Sequence, residues 1–240
     1  MRYGIISDVH SNIEALDAVT GFLGEQSIDK IICLGDIVGY GSDPNKCLKK
    51  IREINCDVIA GNHDFAAIGK LSIDYFNIFA KESTLWTQEH LTDDEKKFIS
   101  RLPLVLDYDN FTTAHGSLYM PEAFGYVQTM IDALYSFREL KKQILFIGHS
   151  HVPITFLEET GISFSVEDTI KIEEGKRYII NVGSVGQPRD EDPRACCAIF
   201  DTEQNIVRIC RVEYDIQTTA EKIINAGLPV INAERLKIGR

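Results

Sequence analysis

The sequence predicts an α/β chain in which two sheets share one domain. Three observations carry that expectation. Short apolar runs alternate with amphipathic stretches along the first two thirds, as in βαβ units on a mostly parallel, two-sided sheet. After Val152 the runs become short, closely spaced and divided by turns, as in a second, largely antiparallel sheet. The 240 residues fit a single domain, expected to span 1–240, because chains divide into domains only somewhat above this length. No repeat, low-complexity tract or Gly/Ser-rich linker interrupts the chain.

The elements follow in order. RYGIIS, KIICLG, DVIAG, FTTAH and ILFIGH are apolar, β-branched runs of strand length. Between the first two, Ile13, Leu16, Val19 and Leu23 recur at helical spacing, and Ser11-x-x-Glu14 offers a capping box. Pro44 to Ile54 reads as a second helix. From 65 to 102 the pattern turns helical. Ile73, Phe76, Phe79 and Ala80 are expected on one face, and Thr92-x-x-Glu95 marks another helix start. This 65–102 segment is expected to cover one edge of the site. Later, PITFLEE, ISFSVED, TIKIEEG, RYIINVG, ACCAIFD and NIVRICRVEY read as strands, and Asp215 to Ala226 as a closing helix.

Composition limits the function classes. There are 25 Lys+Arg against 36 Asp+Glu, for a formal net charge of -11. That balance argues against general nucleic-acid binding, which draws on Lys and Arg against phosphates, and against docking on anionic membranes. It leaves room for a local positive site built on metal. Six cysteines show no CxxC spacing, and Cys33, Cys196 and Cys197 lie in apolar runs and read as core. MRYGIISD carries a charge at Asp8 and no apolar leader. A reduced cytoplasmic setting is therefore expected.

The chemistry gathers at the ends of the apolar runs. Asp8-Val-His10, Gly35-Asp36, Gly61-Asn62-His63-Asp64, His115-Gly116 and Gly148-His149-Ser150-His151 each follow a predicted strand. In α/β sheets, ligands bind outside the carboxyl ends of the strands. Five of the six histidines fall in these motifs, and only His90, at a predicted helix end, lies elsewhere. Asp8, Asp36, Asn62, His10, His115, His149 and His151 make a mixed oxygen and nitrogen set. It is too large for one tetrahedral zinc and suited to two ions. Asp36 has two oxygens with which to bridge them. Imidazole with carboxylate suits Mn, Fe, Zn, Ni or Co, with Mn the first expectation. Two divalent ions bring four positive charges against two aspartates, so the cluster should attract a phosphoryl oxygen. A metal pair roughly 3.5–4 Å apart can hold both the attacking and leaving oxygens of a displacement.

At these residues the sequence resembles the calcineurin-like metallophosphoesterases. The ordered motifs SDVH, GDIVG, GNHD, AHG and GHSH span residues 7–151, and Asn181 to Asp190 resembles the short bacterial and archaeal branch, which is similar to phosphodiesterase-like and diadenosine-tetraphosphatase-like proteins. The resemblance implies a four-layer α/β/β/α sandwich with a dinuclear centre. It assigns Asp8, His10 and His151 to one metal, Asn62, His115 and His149 to the other, and Asp36 to both. It implies hydrolysis of a small phosphate ester (a nucleotide, dinucleoside polyphosphate or phosphodiester) by a metal-bridging hydroxide. His63 would protonate the leaving group, with Asp64 orienting it. The alternative is a metal-dependent nucleotide-binding regulatory module with little turnover. Protein-phosphatase relatives carry an Arg soon after the GD motif. Here Tyr40 stands there instead, which argues against that activity.

Other residues keep two readings. Asn62 and Arg189 are candidate substrate contacts, but Arg189 and Arg194 are flanked by Asp190, Glu191 and Asp192 and read equally as local ion pairs. Tyr119, Phe124 and Tyr126 either stack a nucleobase at the site mouth or pack on the 65–102 segment. Arg138 to Lys142 reads as a solvated helix face. The expected partner is a small phosphorylated substrate, with neither nucleic acid nor membrane.

Overall fold

Alternation of side chains puts Ile5 and Ile6 on opposite faces of the first strand, so that one strand serves two apolar cores. In the computed structural model, which describes residues 1–54 and 56–240, that strand is central to one of two six-stranded mixed sheets. β1 (Arg2–Ile6), β2 (Lys30–Cys33) and β3 (Asp57–Val58) run parallel. β11 (Ala195–Asp201), β12 (Ile206–Val212) and β9 (Thr169–Lys171) extend the other edge antiparallel, giving the order β3-β2-β1-β11-β12-β9. The second sheet has the order β4-β5-β6-β10-β7-β8. Its parallel centre is β5 (Phe111–Ala114), β6 (Ile144–Ile147) and β10 (Arg177–Asn181). β4 (Val105–Asp107), β7 (Ile154–Glu158) and β8 (Ile162–Ser165) flank it antiparallel.

The core between the sheets joins Ile5, Ile32, Phe200 and Val207 of the first to Phe111, Ile144, Phe146 and Ile180 of the second. Outside the first sheet, α1 (Ile13–Glu25), α2 (Pro44–Glu53), α3 (Asn62–Ala67) and α5 (Asp93–Ser100) bury Leu16, Val19, Leu48, Phe65 and Ile99. Outside the second, α6 (Met130–Glu139) buries Ala133 and Phe137 against Leu145 and Ile179. α7 (Ile216–Asn225) and α8 (Val230–Leu236) pack together, with Trp86 of α4 (Ile78–His90) against them. The result is the α/β/β/α layering. No helix among the described residues is long and apolar enough to cross a membrane.

Several expectations need correction. The five parallel strands do not share a sheet: β1 to β3 form one parallel centre, β5 and β6 belong to the other. The later strands do not form a sheet of their own but divide between the two. Antiparallel strands flank the parallel centre of the second sheet on both sides and that of the first on one side, where β3 remains the other edge. Asn12, not Ser11, caps α1 by accepting from the Ala15 amide at 3.1 Å. Ser11 sits at φ +55° in the turn before it, and Glu14 pairs with Lys222 instead. Ile73 and Phe76 lie in a loop, because Asn77 starts α4 by accepting from the Ala80 amide at 3.0 Å. The Thr92/Glu95 capping box forms as expected. Strand β4 and helix α8 were not anticipated. α6 ends at Glu139, so Lys141 and Lys142 lie beyond it.

Candidate metal centre

The parallel strands of both sheets end at one place, and the five motifs meet there. Asp8 and His10 follow β1, Asp36 follows β2, Asn62 opens α3 just after β3, His115 follows β5, and His149 and His151 follow β6. All seven side chains are buried. Their backbone is under strain: Asp8, His10, Asp36, His149 and His151 have left-handed φ values of +54°, +48°, +51°, +67° and +62°. Each such residue costs on the order of 1 kcal/mol or more and persists only where surroundings hold it. At Asp8 the loop after β10 supplies that hold. Val185 N donates to Ser7 O at 2.9 Å, Gly186 N to Asp8 O at 2.9 Å, and Ser184 Oγ to Asp8 O at 2.8 Å.

Hydrogen bonding fixes how the ligands point. Nδ1 of His10, His115 and His151 lies 3.2, 2.7 and 2.6 Å from the carbonyl oxygens of Val38, Leu34 and Gln187. A carbonyl only accepts, so each Nδ1 carries hydrogen and each Nε2 faces the centre. His10 Nε2 and His151 Nε2 stand 3.0 Å apart. Asp8 Oδ2 accepts from the His149 amide at 2.9 Å, and Asp36 Oδ1 from the His63 amide at 2.8 Å. Asp8 Oδ1 and Asp36 Oδ2 are buried without a hydrogen-bond partner. Asp36 Oδ2 is 3.6 Å from His10 Nε2 and 3.3 Å from His115 Nε2, while Asp8 Oδ1 is 3.3 Å from His151 Nε2.

This donor set fits two cations. Asp8, His10 and His151 form one ligand group, and Asp36, His115 and His149 another. Asn62 Oδ1 joins the second, 3.2 Å from His115 Nε2. Facing lone pairs and donor-less buried carboxylate oxygens repel one another unless positive charge sits between them. The titration behaviour agrees. Burial lowers His10 well below its ordinary value and His149 to about 3; burial, then Arg189, lowers His151. Metal ligation needs such neutral rings. Burial acts to lower His115 too, but Asp36 and Asp8 outweigh it and raise the ring to about 9. Burial acts to raise both aspartates and is outweighed, at Asp8 by His151 and at Asp36 by His115, so both carboxyls stay below the usual range.

A cavity of about 430 Å³ opens beside these groups, lined by Tyr40, Asn62, His63, Phe76, Phe124 and Tyr126 among others. From the 65–102 segment, Leu71, Ser72, Tyr75, Phe76, Asn77 and Ala80 form part of its wall. The Tyr126 ring stacks on His149 at 3.9 Å, and Phe76 lies 4.9 Å from His63. His63 Nδ1 is buried without a partner. Gly39, at φ +101°, leaves it room, since a Cβ there would stand 2.8 Å from that nitrogen. Asp64 does not hold the His63 ring, contrary to expectation. Its oxygens accept from Val38 N at 3.2 Å and Gly61 N at 3.0 Å, so it fixes the backbone on either side of the site. Burial, then Asp36, raises Asp64 to about 7.

The ambiguous residues resolve. Asp190 pairs with Arg211, Glu191 with Arg240, and Asp192 with Arg194. Arg189 is left with Gln187 Oε1 at 2.7 Å. Phe124 is buried against Phe65 at 6.0 Å and lines the cavity together with Tyr126, whereas Tyr119 meets Tyr135 at 5.5 Å. His90 ends α4 and stacks on Trp86 at 3.7 Å. Cys33, Cys47, Cys196 and Cys197 are buried. Tyr40 and Phe76 went unread as site residues. The glycines on both sides of Tyr40 were the available signal for the first; nothing local marked the second.

Residues 1–205 match the model of the calcineurin-like phosphoesterase superfamily domain. An uncharacterised protein of Methanocaldococcus jannaschii is 41% identical over 241 residues, covering 98% of this chain and 97% of its own. A metallophosphoesterase from Sphaerobacter thermophilus is 37% identical with TM-score 0.87, over 100% of this chain and 99% of its own. A hypothetical protein from Pyrococcus horikoshii OT3 shares the fold, with TM-score 0.81 and 21% identity over 100% and 98%. By the match over residues 1–205 and the relative in Sphaerobacter thermophilus, the chain, which holds two buried Asp/His groups able to bind metal, belongs to the calcineurin-like phosphoesterase superfamily.

Proposed function

We propose that this chain hydrolyses a small phosphate ester, with two divalent transition-metal ions as cofactor and manganese first among them. The observation that carries this reading is Asp36 Oδ2, a buried, donor-less carboxylate oxygen facing His10 on one side and His115 on the other. Carboxylate with imidazole and no thiolate suits Mn, Fe, Zn, Ni or Co. Bound there, the ions would supply positive charge for the phosphoryl oxygens and a water acidic enough to act near pH 7.

The chain's own residues do the rest. The Asn62 amide nitrogen and the Arg189 guanidinium are donors for phosphoryl oxygens. His63 gives a proton to the leaving oxygen. Burial lowers that ring to about 4 in the free protein, and a phosphoryl anion seated against it is the charge that raises it again. The aromatic wall of Phe76, Phe124 and Tyr126 supports a planar leaving group such as a nucleotide's. The acidic chain supports a small substrate over nucleic acid, and six free thiols support a reducing cytoplasm.

The test pairs elemental analysis with turnover of bis(4-nitrophenyl) phosphate, before and after Asp36→Asn. We expect about two metals per chain and a loss of at least roughly 10²-fold in activity in the variant. Metal without turnover of any phosphomonoester, phosphodiester or dinucleoside polyphosphate would instead favour a metal-dependent nucleotide-binding regulatory module. Absence of transition metal after incubation with excess Mn would overturn the reading.

A further inference from the structure

His63 is the proton donor of the proposed reaction, and no hydrogen bond at Nδ1 holds its ring. That nitrogen is buried without a partner, and the neighbouring Asp64 bonds backbone amides instead. The ligand histidines differ, since backbone carbonyls hold Nδ1 of His10, His115 and His151. An imidazole turns broadly about its last torsion, so packing sets where the His63 ring points. Three rings stand against it: Tyr40 at 4.6 Å, Phe76 at 4.9 Å and His10 at 5.0 Å between centroids.

Tyr40 and His10 belong to the turns after β2 and β1, and hydrogen bonds fix both. Asn232 Nδ2 donates to Tyr40 O at 3.3 Å, and His10 N donates to Asp36 O at 2.9 Å. Phe76 comes from the 65–102 segment, at the last loop position before α4. Its own amide donates to Ile73 O at 3.0 Å, and Asn77 beside it caps α4. α4 is tied to α3, the helix that carries His63, by Gln88 Nε2 donating to Ala66 O at 2.8 Å. The Phe76 ring thus reaches His63 from a backbone fixed on both sides, and both rings line the same cavity.

We propose that Phe76 is a positioning residue for proton donation by His63: packed on the imidazole beside Tyr40, it holds that ring within reach of the leaving oxygen. A general acid must stand within about 2.6–3.2 Å of the oxygen it protonates as the P–O bond breaks, and about 1 Å of misplacement costs roughly 10²-fold in rate. This role rests on the reading of the site as a phosphoesterase and deepens it, since it gives the 65–102 segment a part in the chemistry. It matters most for alkoxide or phenoxide leaving groups, which are strong bases. It matters least for 4-nitrophenolate, a weak base that departs without a proton.

The test has two readouts. The first is the nuclear Overhauser contact between the His63 and Phe76 ring protons in the full chain loaded with zinc. It should be present, and its absence overturns the proposal whatever the activity. The second is kcat for diphenyl phosphate relative to bis(4-nitrophenyl) phosphate. Metal-loaded wild type, Phe76→Ala, Phe76→Tyr, His63→Ala and the double variant are compared, with Phe79→Ala, an exposed ring in the first turn of α4, as control. General acid catalysis contributes roughly 10²–10⁴-fold, so Phe76→Ala should lower the ratio roughly ten-fold or more. Phe76→Tyr should restore most of it, and Phe79→Ala should leave it intact. In the His63→Ala background, removing Phe76 should change the ratio no further, and a further ten-fold fall there overturns the role. A higher KM with the ratio unchanged makes Phe76 part of the aromatic wall only. Turnover of bis(4-nitrophenyl) phosphate with a ratio no higher in wild type than in Phe76→Ala overturns this role alone. Should wild type turn over neither ester while the ring contact is present, the proposed function fails and this role with it.

Discussion

Gly61→Ala tests whether Asp36 is held in place by close packing. Gly61 has φ -98° and ψ 174°, a backbone that alanine adopts freely, so any effect is steric. A Cβ there would meet Asp36 Oδ1 at 2.0 Å, Asp36 N at 2.4 Å and Asp36 Cγ at 2.6 Å. Reaching ordinary van der Waals contact requires the carboxylate or the loop to move by roughly 1.4 Å. Asp36 has little freedom, because its Oδ1 accepts from the His63 amide and its Oδ2 faces both ligand groups. Overpacking of this kind costs about 1–3 kcal/mol, or a fall of a few to about ten degrees in Tm for a chain this size. A displacement of about 1 Å at a catalytic group costs roughly 10²-fold in rate. The assay is metal content, phosphodiesterase rate and Tm on the same sample. Gly21→Ala is the control: it lies exposed in α1 with nothing within 4 Å of a new Cβ, and should gain roughly 0.5–1 kcal/mol. If Gly61→Ala keeps full metal, full rate and wild-type Tm, the packing argument for Asp36 is wrong.

Three further outcomes are expected. Phe146→Ala, in the core between the sheets, should cost about 3–5 kcal/mol by urea denaturation. Lys222→Met should lower stability by up to about 1 kcal/mol at neutral pH by removing its pairs with Glu14 and Asp43. Burial acts to raise Asp43 but is outweighed by hydrogen bonds from Lys222 and Lys46, so its folded pKa lies below 3.8. The stability it contributes is therefore present above the unfolded value and lost as pH falls through the folded one. The Tm gap between wild type and Lys222→Met should accordingly close in acid, and a gap that widens would refute the assignment. Among the thiols, Cys210 should react first with a disulfide reagent. A hydrogen bond from Cys197 lowers its pKa, whereas burial raises Cys33, Cys47, Cys56 and Cys196. Mass mapping of the first label checks this.

The reach of the sequence differed between site and fold. The seven ligands stood out because each follows its own apolar run, and strand ends with adjacent glycines are local features. Capping was less legible: Ser11 and Asn12 are both good caps, and backbone φ decided between them. The loop holding Ile73 and Phe76 kept helical spacing, yet Asn77 begins the helix after it. Sheet membership was misread because parallel apolar runs such as KIICLG and ILFIGH look alike whichever sheet they join.

Composition and motif order alone predicted an acidic α/β chain with Asp, Asn and His gathered at five strand ends as candidate metal ligands. Only the tertiary structure decided which strands pair, which carbonyls turn the imidazoles inward, and which carboxylate oxygens lack a donor. It alone showed that Asp190, Glu191 and Asp192 are engaged by other arginines, that Asp64 braces backbone rather than His63, and that Asn232 of α8 bonds the Tyr40 carbonyl from the far end of the chain. The reason is physical. Residue type and turn chemistry act over a few neighbours, whereas pairing, burial and charge balance depend on groups far apart in sequence that meet only when the chain is packed.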